Sequence, residues 1–279
     1  MNVRRWDTNN LARSRAKRAG SSAPTSRELR VYKKYLLRAI RGKRHPRVLV
    51  LGATPELRDL AIGKGCETLA VDMSEQVILA MESCMRYRDN PRNLIMKCDW
   101  IGMNTFLSEK YFDAVVADCS LNNVPIHLQS RVCSNVAKLL KPGGLFITRN
   151  IVDIPQLYPK DIAYFQRLYN ARKISWLFFW LILGSYTSWR EKVVHVARRE
   201  VIIANLCKLC TVAIRNGDVQ FRKEDLRKIE NIQTHGKTIT HFTFMRDEFE
   251  KLLAKYFRIV AREDVPHCEP FPIYALRKK

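Results

Sequence analysis

Residues 47–74 read RVLVLGATPELRDLAIGKGCETLAVDMS. An apolar run stops at one glycine, Gly52, and Pro55 follows where a helix would open. A second apolar run ends in an acid, Asp72. A strand, a tight turn, a helix and a strand with an acid at its end form the opening of a parallel α/β domain, in which a nucleotide lies across the strand ends. Further glycines are missing, with Thr54 and Glu56 in places where they would stand. Capping chemistry makes the turn in their stead. Thr54 is the expected N-cap, Pro55 the first helical residue and Glu56 an acid in the first turn.

Alternation continues outward from this stretch. Strands are expected at 47–51, 68–72, 94–98, 112–118 and 145–149, with helices over 55–63, 74–87 and 126–140. Short apolar runs between amphipathic helices imply a parallel sheet covered on both faces. Upstream, Thr25 and Glu28 have capping-box spacing and start a helix that runs to about Ile40. After Asn150 the pattern changes to about ninety residues that read as helical, including 190–214. A helix over 245–257 and two strands, FRIVARE and FPIYALRK, then close the chain around the loop DVPHCEP.

The chain has 279 residues, enough for one large domain or a core with attachments. Its net charge of +22 is unevenly placed. Residues 1–50 carry 15 Lys/Arg against 2 Asp/Glu, residues 51–154 carry 11 against 12, and residues 155–240 carry 15 against 7. Basicity concentrated outside a neutral core points to an anionic partner, nucleic acid or acidic lipid headgroups. GSSAPTS at 20–26 reads as a joint that sets off a basic arm. Eight scattered cysteines with no apolar leader before them imply reduced thiols in a cytoplasmic protein.

Taken together, VLVLGATPEL, LAVDMS, KCDWIGM, FDAVVADCSLNNVP and LLKPGGLFITRN resemble, in order, the motifs of class I, Rossmann-like S-adenosylmethionine-dependent methyltransferases. The resemblance covers about 47–150 and 240–279. It implies a seven-stranded, mostly parallel sheet of order 3-2-1-4-5-7-6, with helices on both faces and a helical insert after strand five. Three parts are expected, namely a basic arm at 1–26, a core at 27–154 and 241–279, and an insert or lid at 155–240. The implied cofactor is S-adenosyl-L-methionine. Gly52, with Ala53 and Thr54, would face its amino-acid end, because glycine admits a close backbone approach. Asp72, with Met73, would take the ribose hydroxyls; Asp99 and Trp100, with Ile101, would hold the adenine. Asp118 and Cys119, with Ser120, would shape the pocket around the transferred methyl. KPGG is read only as a turn into strand five. Transfer is an in-line displacement that rests mainly on alignment, and a base is needed only if the acceptor must lose a proton. Asp118 and His127 are the candidates for that base, with His195 and His241 as further histidines.

Two other patterns compete. Tyr169 to Lys173 fits the Y-x-x-x-K pair of dehydrogenases, but the later glycines that seat a pyrophosphate are absent. Cys207-x-x-Cys210 lacks the further ligands of a zinc site, and both cysteines fall on an apolar helical stripe. ISWLFFWLILG at 174–184 is too short to span a bilayer. It reads as a buried lid helix, as a peripheral membrane contact through Trp176, Phe178 and Trp180, or as a partner surface. The acceptor is accordingly a small molecule under the lid, or RNA or another nucleic acid held by the arm. A cofactor-binding regulator without transfer activity is the third class.

Overall fold

The computed structural model describes residues 23–153, 162–176, 178–180, 182–184, 200–227, 229, 240–242, 244–266 and 270–279. The arm at 1–22, His195 and Cys268 lie outside the described residues, as do the side chains of Cys207 and His241. Seven strands make the main sheet: β1 Arg47–Leu51, β2 Glu67–Asp72, β3 Asn93–Lys97, β4 Phe112–Asp118, β5 Leu140–Arg149, β6 Phe257–Glu263 and β7 Ile273–Lys278. Their order is β3-β2-β1-β4-β5-β7-β6, with β7 antiparallel to both β5 and β6 and the other pairs parallel. This is the expected order.

Each central strand buries both faces, which is why these runs are continuously apolar. From β1, Val48 and Val50 pack under three helices, α1 Ser26–Ile40, α2 Pro55–Ile62 and α3 Glu75–Glu82. Leu49 and Leu51 pack on the opposite side, under α4 Ile126–Leu139 and the helix Arg246–Ala254. The capping box at the start of α1 is formed as its spacing requires: Glu28 N donates to Thr25 Oγ1 at 3.2 Å, and Thr25 N donates to Glu28 Oε2 at 2.6 Å. Thr54 does not match its expectation. It holds the N-cap position of α2, but its buried side chain makes no capping bond. Pro55 at the first helical position removes one of the unpaired donors at the helix start and presets its φ, so the turn forms without a side-chain cap.

Three boundaries differ from the sequence reading. Helix α3 stops at Glu82, well short of residue 87. KPGG lies inside β5, where the register with β4 shifts and Gly143 takes a φ of 77°. It is a bulged entry to the strand. In the insert, Ile162–Asn170 is helical as expected (α5), but 190–214 is not one helix. Glu200–Ile202 pairs antiparallel with Thr240–Phe242, and helix α6, Ile203–Arg215, starts only after it. The apolar stripe is interrupted at Glu200 in the sequence, and Glu200 is the first described residue of that strand. The insert leaves and rejoins the core side by side, since Val152 and Asp153 pair with Phe244 and Met245. The helix Arg246–Ala254, α7, follows at once.

The large apolar side chains described within 174–184 are interior. Trp176, Phe178, Phe179, Trp180, Ile182 and Leu183 are all buried in one cluster with Phe165, Tyr169, Cys210 and Phe271. Because Trp176, Phe178 and Trp180 face protein, they offer no surface to a lipid interface, and the peripheral-membrane reading of this segment is overturned. Among the described residues, no helix is long and apolar enough to cross a membrane.

Candidate active site

The strand ends converge on Gly52. Its φ of 97° is a left-handed backbone conformation that side chains disfavour, so glycine is required by conformation. A Cβ placed on it would lie 3.7 Å from Ser120 Oγ, 3.8 Å from Trp100 Cζ2 and 3.9 Å from Asp72 Oδ2. Three loops, those after β2, β3 and β4, therefore meet at the loop after β1. Backbone bonds hold them there. Val71 O accepts from Gly52 N at 2.8 Å and also from the Trp100 indole at 2.8 Å. Ser120 Oγ donates to Leu51 O at 2.7 Å. Buried Asn135 of α4 donates to the carbonyls of Trp100 and Ile101 at 3.1 and 2.9 Å, which fixes the loop after β3 from below.

Asp72 Oδ1 accepts from Ser74 N at 3.0 Å, while Ser74 caps α3 through Val77 N. Burial pushes the Asp72 carboxyl above its ordinary range, and the Ser74 and Met73 amides offset part of that. Met73 beside it is exposed, an unusual position for a large apolar side chain. Asp99 is exposed, and its Oδ1 accepts from Ile101 N at 2.9 Å, so the Ile101 amide is already engaged by the loop itself. Ala53 and Thr54 are buried beside Gly52 in the turn.

Asp118 has a different environment from the one expected of a base. Its Oδ1 accepts from Arg149 Nε at 2.6 Å, and Arg149 Nη1 donates to Glu28 Oε1 at 2.7 Å, all three side chains being almost fully buried. Burial works against the Arg149 charge, but Asp118, Cys119 and Glu28 outweigh it and hold its pKa well above the ordinary value. Tyr32 closes the network: its hydroxyl accepts from Arg149 N and donates to Ala117 O. Asp118 is thus engaged by an arginine in the protein interior, with one oxygen committed to that bond. Cys119 follows with a φ of 53°, and burial pushes its thiol up to about 12, so it stays protonated. His127 is exposed in the first turn of α4, and the side chains nearest a Cβ at Gly52 are those of Ser120, Trp100 and Asp72.

Sequence reasoning missed Asn122. Its Nδ2 donates to Ile151 O at 3.0 Å and Phe242 O at 2.8 Å, and its Oδ1 accepts from Ile151 N at 2.9 Å. It thus ties the loop after β4 to both ends of the insert. DCSLNN stands out as a motif, but the partners are far along the chain and nothing local marks which Asn is used. The Y-x-x-x-K pair dissolves in the structure. Tyr169 OH donates to Asp225 Oδ2 at 2.5 Å and accepts from Arg222, while Lys173 is exposed. Cys210 is buried with Sγ directed to Trp180 O, as core packing predicts.

A family model described as a methyltransferase domain matches residues 51–148, from the end of β1 to the end of β5. Residues 51–148 are a methyltransferase domain by this match. A comparison with curated proteins finds no match. Solved structures share this chain's fold over nine tenths or more of its length at low identity. A candidate zinc-dependent alcohol dehydrogenase of Rhodobacter sphaeroides is 16% identical, with a TM-score of 0.58 over 98% of this chain and 99% of that one. A Pyrococcus horikoshii protein is 18% identical, with a TM-score of 0.53 over 91% and 93%. A candidate methyltransferase of Haloferax volcanii, solved with its Trm112 activator, is 10% identical, with a TM-score of 0.52 over 99% of each chain. At such identities the likeness is one of fold.

Proposed function

We propose that the methyltransferase domain holds S-adenosylmethionine across Gly52, Asp72 and Asp99 and passes its methyl to a small molecule admitted beneath the helical insert. The observation that carries this reading is the meeting of three loops at one left-handed glycine. The backbone at Gly52, with Ala53 and Thr54, faces the amino-acid end of the cofactor. Asp72 accepts hydrogen bonds from the ribose hydroxyls, and exposed Met73 offers apolar surface to the base. Asp99 accepts from the adenine amine, with Trp100 as a wall. Ser120, on the turn with Asp118 and Cys119, borders the methyl. In the reaction an acceptor lone pair attacks the methyl carbon in line with sulfur. The bound cofactor would supply the methyl from a sulfonium, whose carbon–sulfur electrons would remain on the departing thioether, S-adenosylhomocysteine.

The insert supports an enclosed acceptor because its aromatic cluster packs on Cys119, Ile151 and Phe271, next to the ends of β4 and β5. Asp118 is bonded to Arg149 and the Cys119 thiol is raised to about 12, so this turn favours an acceptor that needs no proton taken from it by either group. Calorimetry with S-adenosylmethionine, S-adenosylhomocysteine and NADP tests the cofactor assignment. Wild type should bind the first two and not the third, and Asp72→Ala should weaken both at least tenfold, since a bond to a charged group contributes about 1.5–3 kcal/mol. Binding of NADP alone would overturn it. Labelled-methyl transfer into fractionated metabolites, RNA and lipid then identifies the acceptor; label confined to RNA or lipid would refute the small-molecule reading.

A further inference from the structure

We infer that the outer face of α1, continued by the turn into β1, is a docking surface for the phosphate backbone of a nucleic acid. Residues 27–47 hold nine Lys/Arg and one acid, Glu28. That acid contributes nothing to the surface, because it is buried on Arg149. The helix is amphipathic in an unusual sense. Tyr32, Tyr35, Leu36 and Ile40 face the core, and Arg27, Arg30, Lys33, Lys34 and Arg38 face out at helical spacing, followed by Arg41, Lys43 and Arg44. Among the described residues, the acidic partners of this stretch are Glu263 on Lys34 and Glu67 on Arg47. The remaining cations crowd one another. Arg27 and Arg30, and Arg38 and Arg41, are three apart, and like charges at such spacing oppose helix formation. An anionic partner relieves that repulsion.

Geometry selects the partner. Fifteen residues make α1 about 22 Å long, a length over which duplex nucleic acid presents about a dozen phosphate charges. A bilayer surface would also attract the charge, but interfacial helices bind by sinking an apolar face into the acyl boundary. Here that face is in the protein core, and Leu37 is the one large apolar side chain exposed along the helix. The stripe also has a direction. Glu28, near the start of α1, joins Arg149 and Asp118 at the carboxyl ends of β5 and β4, while the far end feeds β1 from the opposite edge. A nucleic acid on α1 would therefore run down the flank of the sheet from the strand-end edge. The inference concerns docking and is independent of which acceptor takes the methyl.

The test compares two triple variants of the full chain. In the first, Arg30→Gln, Arg38→Gln and Arg41→Gln strip the face. In the second, Lys251→Gln, Lys255→Gln and Arg258→Gln remove equal charge from exposed positions elsewhere. Fluorescence anisotropy with a short RNA duplex, a DNA duplex of the same sequence, and light scattering with phosphatidylserine vesicles supply the readouts. The face variant should weaken duplex binding and lower the slope of log affinity against log salt by about two to three, close to 0.9 for each lost phosphate contact. The control variant should leave that slope near wild type. Loss with RNA only assigns the surface to RNA, and loss with both duplexes to the shared backbone chemistry. Equal loss in the two variants, no loss in the first, or loss confined to vesicles would overturn the inference. Unchanged S-adenosylmethionine binding by the face variant separates this outcome from any failure of the cofactor assignment.

Discussion

At Gly52 the magnitudes separate strain from collision. A methyl there meets nothing of the protein closer than 3.7 Å, so Gly52→Ala adds no clash, only the cost of a left-handed alanine. That cost is about 1–2 kcal/mol, which urea denaturation will register. Calorimetry should show a larger relative loss of cofactor affinity, because the methyl projects among the atoms proposed to surround the ligand. Asp72 works the other way. Burial raises its carboxyl pKa, so the folded state is favoured while the group is protonated, and that advantage is lost as pH rises through the raised value. Asp72→Asn should therefore raise the melting temperature of the cofactor-free protein near neutral pH, by about 2 °C. The gain should fade as pH falls toward the ordinary carboxylate range, where the wild-type group is already neutral. A melting temperature lowered at neutral pH would refute the assignment of Asp72 as a strained, functional acid.

Between elements, the buried group Glu28–Arg149–Asp118 joins α1 to the ends of β4 and β5. Glu28 acts twice, closing the capping box with one oxygen and bonding Arg149 with the other. The first role was legible in sequence because both partners lie within one turn. The second was not, because 121 residues separate Glu28 from Arg149 and no local pattern encodes a contact across the fold. The same contrast runs through the site. The strands, the glycine and the acid after β2 could be read from short-range periodicity and turn chemistry. The engagement of Asp118 by an arginine one strand away could not. Arg149→Met should destabilise the protein by about 3–5 kcal/mol, since two carboxylates are then left buried without their cation. Adding Glu28→Gln and Asp118→Asn to that variant should recover much of the loss in the same urea titration. If it does not, the side chain matters for its packing over Phe271 and not for its charge.

On the scale of the molecule, the described residues of the insert form an aromatic body linked to an α/β domain by specific contacts. Its residues pack on Cys119, Ile151 and Phe271, and Asn122 holds its entry and exit with three hydrogen bonds. Composition predicted a buried lid and left membrane and partner contacts open, since an apolar run does not state what covers it. The aromatic cluster decides that question for the described residues of 174–184. The proposed enclosed acceptor has a kinetic consequence. Alignment of acceptor and methyl would depend on the insert staying seated, whereas the proposed cofactor site lies on loops of the core. Asn122→Ala leaves two carbonyls and one amide without their partner, a loss of about 1–3 kcal/mol in the seating of the insert. S-adenosylmethionine affinity should then remain within about twofold of wild type, a change under about 0.5 kcal/mol. Single-turnover methyl transfer should fall by at least tenfold, or about 1.4 kcal/mol. Amide exchange should rise at 162–184 and stay unchanged in β1, β4 and β5. Equal losses of cofactor binding and turnover would mean that Asn122 supports the strand-end loop itself, and the insert would lose its assigned part in alignment.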